Sequence, residues 1–185
     1  MKPTTKYYLV IFFGFSLFSG LAVWIIDLLL IGEIKILKLI FMSTFFGLIL
    51  MLFAKTSIEE KLKEYRIKEV TRGNFKVRQK RSMYSGMNLH ELIELIKSDP
   101  VFGKMKKLEK HNGLVLRSRV SFESWGEVIE ILQLSAKDAE YEYLVTSRPR
   151  WIITIIDFMR NFIFVYRLEN LMKPKETSSV MSTLL

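Results

Sequence analysis

The chain has 185 residues, half of them hydrophobic, with no cysteine, two histidines and a net charge of +9. Without cysteine, disulfides, thiolate catalysis, iron–sulfur clusters and cysteine-ligated zinc are excluded. His90 and His111 lie far apart beside no run of carboxylates, so neither a metal nor a cofactor is expected.

Residues 7–31 form an apolar run with one charge, Asp27. A helix of that length, at 1.5 Å per residue, crosses a hydrocarbon layer about 30 Å thick with some tilt. Lys2 and Lys6 precede it as they would a signal peptide. The run is too long for one, however, and stays apolar past Ser19, Gly20 and Ala22. A second run, 36–54, carries one charge, Lys38. The connector 32–35 admits only a tight turn, so residues 1–55 are expected to form a transmembrane hairpin with spans at 7–31 and 36–54. Ser16 with Gly20, and Ser43 with Gly47, are each four apart, a spacing that lets helix backbones approach closely. Asp27 is the single intramembrane carboxylate, and an ion pair with Lys35 or Lys38 is expected ahead of a proton relay. Lys2 and Lys6 flank the first span, while Lys55, Lys61, Lys63, Arg66, Lys68 and Arg72 follow the second. Positive residues stay inside, which predicts a multi-pass membrane protein with both termini cytoplasmic.

Residues 56–74 read as a charged helical stalk, with a helix over 57–70 supported by Glu59 with Lys63 and Glu64 with Lys68. Residues 75–172 read as the cytoplasmic domain. Alternation over 75–83 predicts a strand. Asn88 to Glu91 looks like a capping box that opens a helix over 89–97, with Leu89, Leu92, Ile93 and Ile96 buried. Asp99-Pro100 ends it. After the turn signal His111-Asn112-Gly113, strands are predicted at 114–122, 126–134 and 141–147. Helical spacing of Ile155, Met159, Phe162, Ile163 and Tyr166 predicts a long helix over 151–172, and residues 173–185 form a loose tail. The fold class is therefore a membrane protein: a two-helix transmembrane hairpin plus a small α+β domain. Its antiparallel sheet carries a short helix and a long C-terminal helix on one face.

That order resembles reduced helix-grip folds, which hold lipids and other apolar ligands, and pleckstrin-like domains that follow membrane hairpins in bacteria, although the early helix fits the latter poorly. Ser124-Trp125-Gly126-Glu127-Val128-Ile129, followed by Ser147-Arg148-Pro149, Thr154, Asp157 and Asn161, resembles a pattern in uncharacterised, membrane-anchored bacterial proteins. That resemblance covers roughly residues 75–172, brings no catalytic residues, and implies a place at the bacterial inner membrane.

Two basic groups stand out as candidate sites, beside the intramembrane Asp27. Arg148, Arg150 and Trp151 fall at the predicted start of the last helix, where free N–H groups and two guanidiniums would suit a phosphate such as a lipid head group; the competing reading leaves the arginines in solvent or paired with Glu140 or Glu142. Arg72, Lys76, Arg78, Lys80 and Arg81 form a basic stretch with no acidic residue among them, suited either to an anionic leaflet or simply to solvation. A second basic stretch lies at Lys104, Lys106, Lys107 and Lys110. Aromatic residues are not interleaved with these charges, which argues against nucleic acid. Asp157 and Asn161, one helical turn apart, are expected to bond to each other. The functional expectation is a non-enzymatic, membrane-anchored accessory or scaffold protein. Its basic domain would contact a protein partner, in a membrane complex or a second copy of the chain, or the lipid surface. The alternative is a binder of a lipid or small apolar ligand between the sheet and the C-terminal helix.

Overall fold

The computed structural model of the chain describes residues 1–30, 33, 35–120, 125–137, 140–151 and 157–173. The chain divides into two compact units, Met1–Lys76 and Val77–Leu185.

The first unit is built on α1 (Pro3–Leu30) and α2 (Ile36–Glu64), both long and apolar enough to cross a membrane. The helices pack through small residues. A Cβ on Gly20 would lie 2.6 Å from Ser43 Oγ, and one on Gly47 would lie 2.8 Å from the Phe12 carbonyl oxygen. Close backbone approach therefore holds position 47 to glycine, whereas at Gly20 the near neighbour is the Ser43 side chain. Of the predicted connector, positions 32 and 34 lie outside the described residues.

The second helix runs past position 54 without a break and stops at Glu64, short of the predicted stalk helix that reached 70. The cause is local. Arg66 turns left-handed, with φ 53. Its N–H donates to the Lys63 carbonyl at 3.1 Å, and the Ile67 N–H donates to the Leu62 carbonyl at 2.9 Å. This pair of bonds closes a helix in the Schellman manner and turns the chain away. The predicted strand at 75–83 also begins late. Arg72–Phe75 is a 3₁₀ turn, pinned by Asn74 Oδ1, which accepts from the Thr71 N–H and hydroxyl.

The second unit holds a five-stranded antiparallel sheet: β1 (Gln79–Ser85), β2 (Lys106–Lys110), β3 (Gly113–Arg117), β4 (Glu127–Lys137) and β5 (Glu140–Pro149), in the order β1-β5-β4-β3-β2. Strands 2 to 5 form a meander, and β1 closes onto β5, with Met83 opposite Tyr143. Side chains alternate between faces. One face presents Met83, Leu114, Leu116, Ile129, Ile131, Tyr143 and Val145 to the core. Against it pack α3 (Leu89–Ser98) through Leu92, Ile93 and Ile96, and α4 (Arg160–Met172) through Phe164, Val165, Leu168 and Met172. Both helices thus cover one face of the sheet.

The start of α3 follows from its capping box: Asn88 Oδ1 accepts from the Glu91 N–H at 3.0 Å, and Glu91 returns the bond to the Asn88 N–H at 2.9 Å. Its end is held by Asp99, which is buried and bound by Arg167 at 2.8 Å as well as by the Val101 and Phe102 amides. Burial alone would raise the Asp99 pKa; the guanidinium and the two amides outweigh it and hold the carboxyl below its ordinary range.

Two predicted elements are shorter than expected. The strand over 114–122 ends at Arg117. The helix over 151–172 begins only at Arg160, while 152–156 lie outside the described residues. Phe158 and Met159 both take positive φ, 48 and 61. Two consecutive left-handed residues cannot continue a right-handed helix, so the apolar periodicity upstream of Asp157 was no guide to the helix start.

Candidate functional site

Basic side chains gather in one cleft of each unit. In the first unit a cleft of about 870 Å³ is lined by Lys6, Arg72 and Lys76 together with Pro3, Tyr7 and Phe75. The 3₁₀ turn places Arg72 and Lys76 on either side of Phe75, whose ring stacks on Tyr7 with centroids 4.4 Å apart. Cations thus surround an aromatic pair.

In the second unit the cleft lies at one end of the sheet and has a volume of about 610 Å³. Lys104 and Lys106 enter it from the start of β2, Arg117 and Arg119 from the end of β3, and Arg150 from just beyond β5. Lys106 and Arg117 stand directly opposite each other in the antiparallel ladder, an arrangement of like charges that destabilises a sheet. Among the described residues none of these five cations has a carboxylate partner.

A buried polar layer supports this end of the sheet. Ser118 lines the cleft, and its hydroxyl donates to the Glu127 carboxylate while accepting from the Glu127 N–H at 2.8 Å. Glu127, 1% exposed, also meets Arg160 Nε at 3.0 Å. Gly126 adopts φ 86, and a Cβ there would sit 3.2 Å from the Ser118 carbonyl oxygen. Its own carbonyl accepts from the Arg150 N–H at 2.7 Å. Backbone bonds thus fix the segments that carry Arg117, Arg119 and Arg150.

Behind this layer lies Asp157, 1% exposed. Its Oδ2 accepts from the Asn161 N–H at 3.0 Å and from the Asn161 side-chain amide at 2.7 Å, and Asn161 in turn accepts from Ser147 at 2.6 Å. Oδ1 has no hydrogen-bond partner among the described residues. Burial, with the Glu127 charge nearby, pushes the Asp157 pKa up to about 6 despite the bonds from Asn161.

The residues singled out in sequence separate. Arg148 lies within β5, which runs through Pro149, and Arg150 and Trp151 follow that strand; 152–156, where the predicted helix would continue, lie outside the described residues. Arg148 lies on the sheet face away from the helices, 3.8 Å from Glu130, whereas Arg150 joins the cleft and Trp151 is exposed. The 72–81 stretch divides as well. Arg72 and Lys76 line the first unit's cleft, Arg81 is paired with Glu169, and Lys80 lies on the opposite face of β1; Arg78 precedes β1 and lines neither cleft. Asp27, 2% exposed, is bound by Lys38 Nζ at 2.6 Å. No cluster of His, Asp or Glu among the described residues suits a metal. Sequence reading missed Arg117 and Arg119, although folding the chain about the turn at 111–113 sets Arg117 opposite Lys106.

The chain matches no protein-family model, no curated protein and no solved structure, so its function must be argued from its own residues.

Proposed function

We propose that this is a non-enzymatic, membrane-anchored accessory protein, with α1 and α2 spanning the bilayer, both termini cytoplasmic, and basic residues engaging the anionic leaflet. The observation that carries the reading is the cleft between the N-terminal end of α1 and the 3₁₀ turn, lined by Lys6, Arg72 and Lys76 together with the stacked Tyr7 and Phe75. Aromatic rings with cations around them suit the head-group layer, and each cation near an anionic leaflet contributes roughly 1 kcal/mol. The apolar side chains left exposed along the helices, among them Leu17 at 78%, Phe18 at 71% and Leu37 at 84%, form the kind of surface that lipid covers. The Asp27–Lys38 pair gives the lone carboxylate a counter-charge.

The alternative, an apolar ligand held between the sheet and α4, has less support. Phe164, Val165, Leu168 and Met172 fill that interface against Met83, Tyr143 and Val145.

The natural lack of cysteine makes the topology directly testable. In cells, Glu33→Cys should react with a membrane-impermeant maleimide from outside, and Glu64→Cys only after lysis; the reverse pattern would refute the orientation. In nanodiscs, changing Lys6, Arg72 and Lys76 together to Gln should weaken the effect of anionic lipid on proteolysis at 65–76. An unchanged effect would refute leaflet contact there.

A further inference from the structure

We propose that the cleft of the second unit is a binding site for one phosphorylated amphiphile, a molecule with a phosphate group on an apolar body. This does not rest on the leaflet reading, which concerns the other unit. Three observations carry it. Lys104, Lys106, Arg117, Arg119 and Arg150 converge on one cleft that has no carboxylate among its described lining residues. Lys106 and Arg117 face each other directly in the ladder, and a bound anion would relieve their repulsion. The backbone that presents the arginines is fixed beforehand by the Ser118–Glu127–Arg160 layer and by the Arg150 N–H bond to Gly126. A site that is already organised loses less freedom on binding.

Three guanidiniums select the chemistry. Their paired N–H groups match phosphate oxygens two at a time, whereas an ammonium supplies a point charge. A second cleft of about 560 Å³ continues the first, sharing Lys104, Met105, Ser118, Arg119 and Val120. Beyond those shared residues it is lined by Pro100, Val101 and Phe164 together with Arg160, so that its apolar wall is Pro100, Val101, Met105, Val120 and Phe164. A phosphate seated among the arginines would therefore leave an attached apolar body lying along Val101, Met105 and Val120. A fully charged solute such as free phosphate would use only the first cleft, and an oligonucleotide would find no exposed aromatic platform in either.

The test is native mass spectrometry of the full chain released from neutral detergent, titrated in turn with dioctanoyl phosphatidic acid, dioctanoyl phosphatidylcholine, inorganic phosphate and a short single-stranded oligonucleotide. Phosphatidic acid should add once and bind more tightly than the other three. Arg117→Gln with Arg150→Gln should weaken it roughly 10- to 100-fold, the loss expected for charge-assisted bonds. Arg117→Lys with Arg150→Lys, which keeps the charge but not the paired N–H groups, should fall between the parent and the glutamine pair. Lys6→Gln with Arg72→Gln, in the other unit, should leave this adduct unchanged, which separates the two readings. Val120→Ser should weaken phosphatidic acid while leaving inorganic phosphate unaffected. Inorganic phosphate bound as tightly as the lipid would overturn the amphiphile. Equal binding of phosphatidylcholine, tighter binding of the oligonucleotide, or indifference to both arginine changes would overturn the site.

Discussion

Asp157→Asn probes the buried polar layer beneath the cleft. The wild-type carboxyl has a pKa of about 6 in the folded chain against an ordinary 3.8. A group raised on folding favours the folded state fully below its unfolded pKa, and that contribution is lost as pH rises through the folded value. For Asp157 the loss therefore falls between about pH 4 and pH 6. A shift of roughly two units corresponds to about 3 kcal/mol, an upper bound at neutral pH. Asparagine cannot ionise. Its carbonyl oxygen can take both bonds from Asn161, and its amide can turn toward the position of the unpartnered Oδ1, on which the Glu127 charge acts favourably. Near pH 7.5 the variant should unfold on the order of 10 °C higher than the parent, and the difference should vanish near pH 4. The assay is thermal unfolding of the full chain in mild detergent, followed by near-ultraviolet circular dichroism at half-unit pH steps. Asp99 does not mask the effect: its depressed pKa makes it stabilising above the ordinary carboxylate range, and that contribution is lost only at lower pH. A variant destabilised equally at every pH, or a parent whose midpoint is flat from pH 4 to 7, would refute the reasoning.

Three further outcomes follow from single side chains. Arg66→Gly should stabilise the end of α2 by about 1 kcal/mol, because glycine takes the left-handed cap without strain; amide exchange at Arg66 and Ile67, which should slow, reads it. Gly126→Ala should cost about 1–3 kcal/mol and weaken phosphatidic acid binding, since both its φ and the Ser118 carbonyl exclude a Cβ; calorimetry and the titration above check both halves. Arg167→Met should destabilise the second unit by about 3 kcal/mol, leaving Asp99 buried with only amide partners. Its acid-unfolding midpoint should move to higher pH, because the Asp99 pKa rises toward its ordinary value; a chemical denaturation series against pH measures that shift.

The elements that were legible in sequence are those whose cause is local. The two apolar runs needed only length and hydropathy to read as helices, and α3 only its cap at Asn88 and a periodic apolar face. Boundaries failed where the deciding event was a backbone angle without a glycine to announce it. Arg66 ends α2, and Phe158 with Met159 precedes the start of α4 at Arg160, although arginine and methionine both favour helices. The Arg148–Arg150 pair was misplaced for the same reason: a proline that suits a first helical turn equally ends a strand, and only the pairing of Glu127 with Pro149 decides between them.

The cleft of the second unit was half legible. Its lysines stood out as a charged run and Arg150 as a candidate anion-binding residue, whereas Arg117 and Arg119 looked like one face of an ordinary alternating strand. What joins them is register, fixed by the turn at 111–113, which sets Lys106 against Arg117. Solvation explains one exposed cation, and a salt bridge explains two charges of opposite sign. Neither explains five of one sign held by a rigid backbone around a concave surface with an apolar annex. A glutamate at position 106 or 117 would form a cross-strand pair in place of the repulsion. In the proposed site a bound anion would play that part, its charge relieving the repulsion between Lys106 and Arg117.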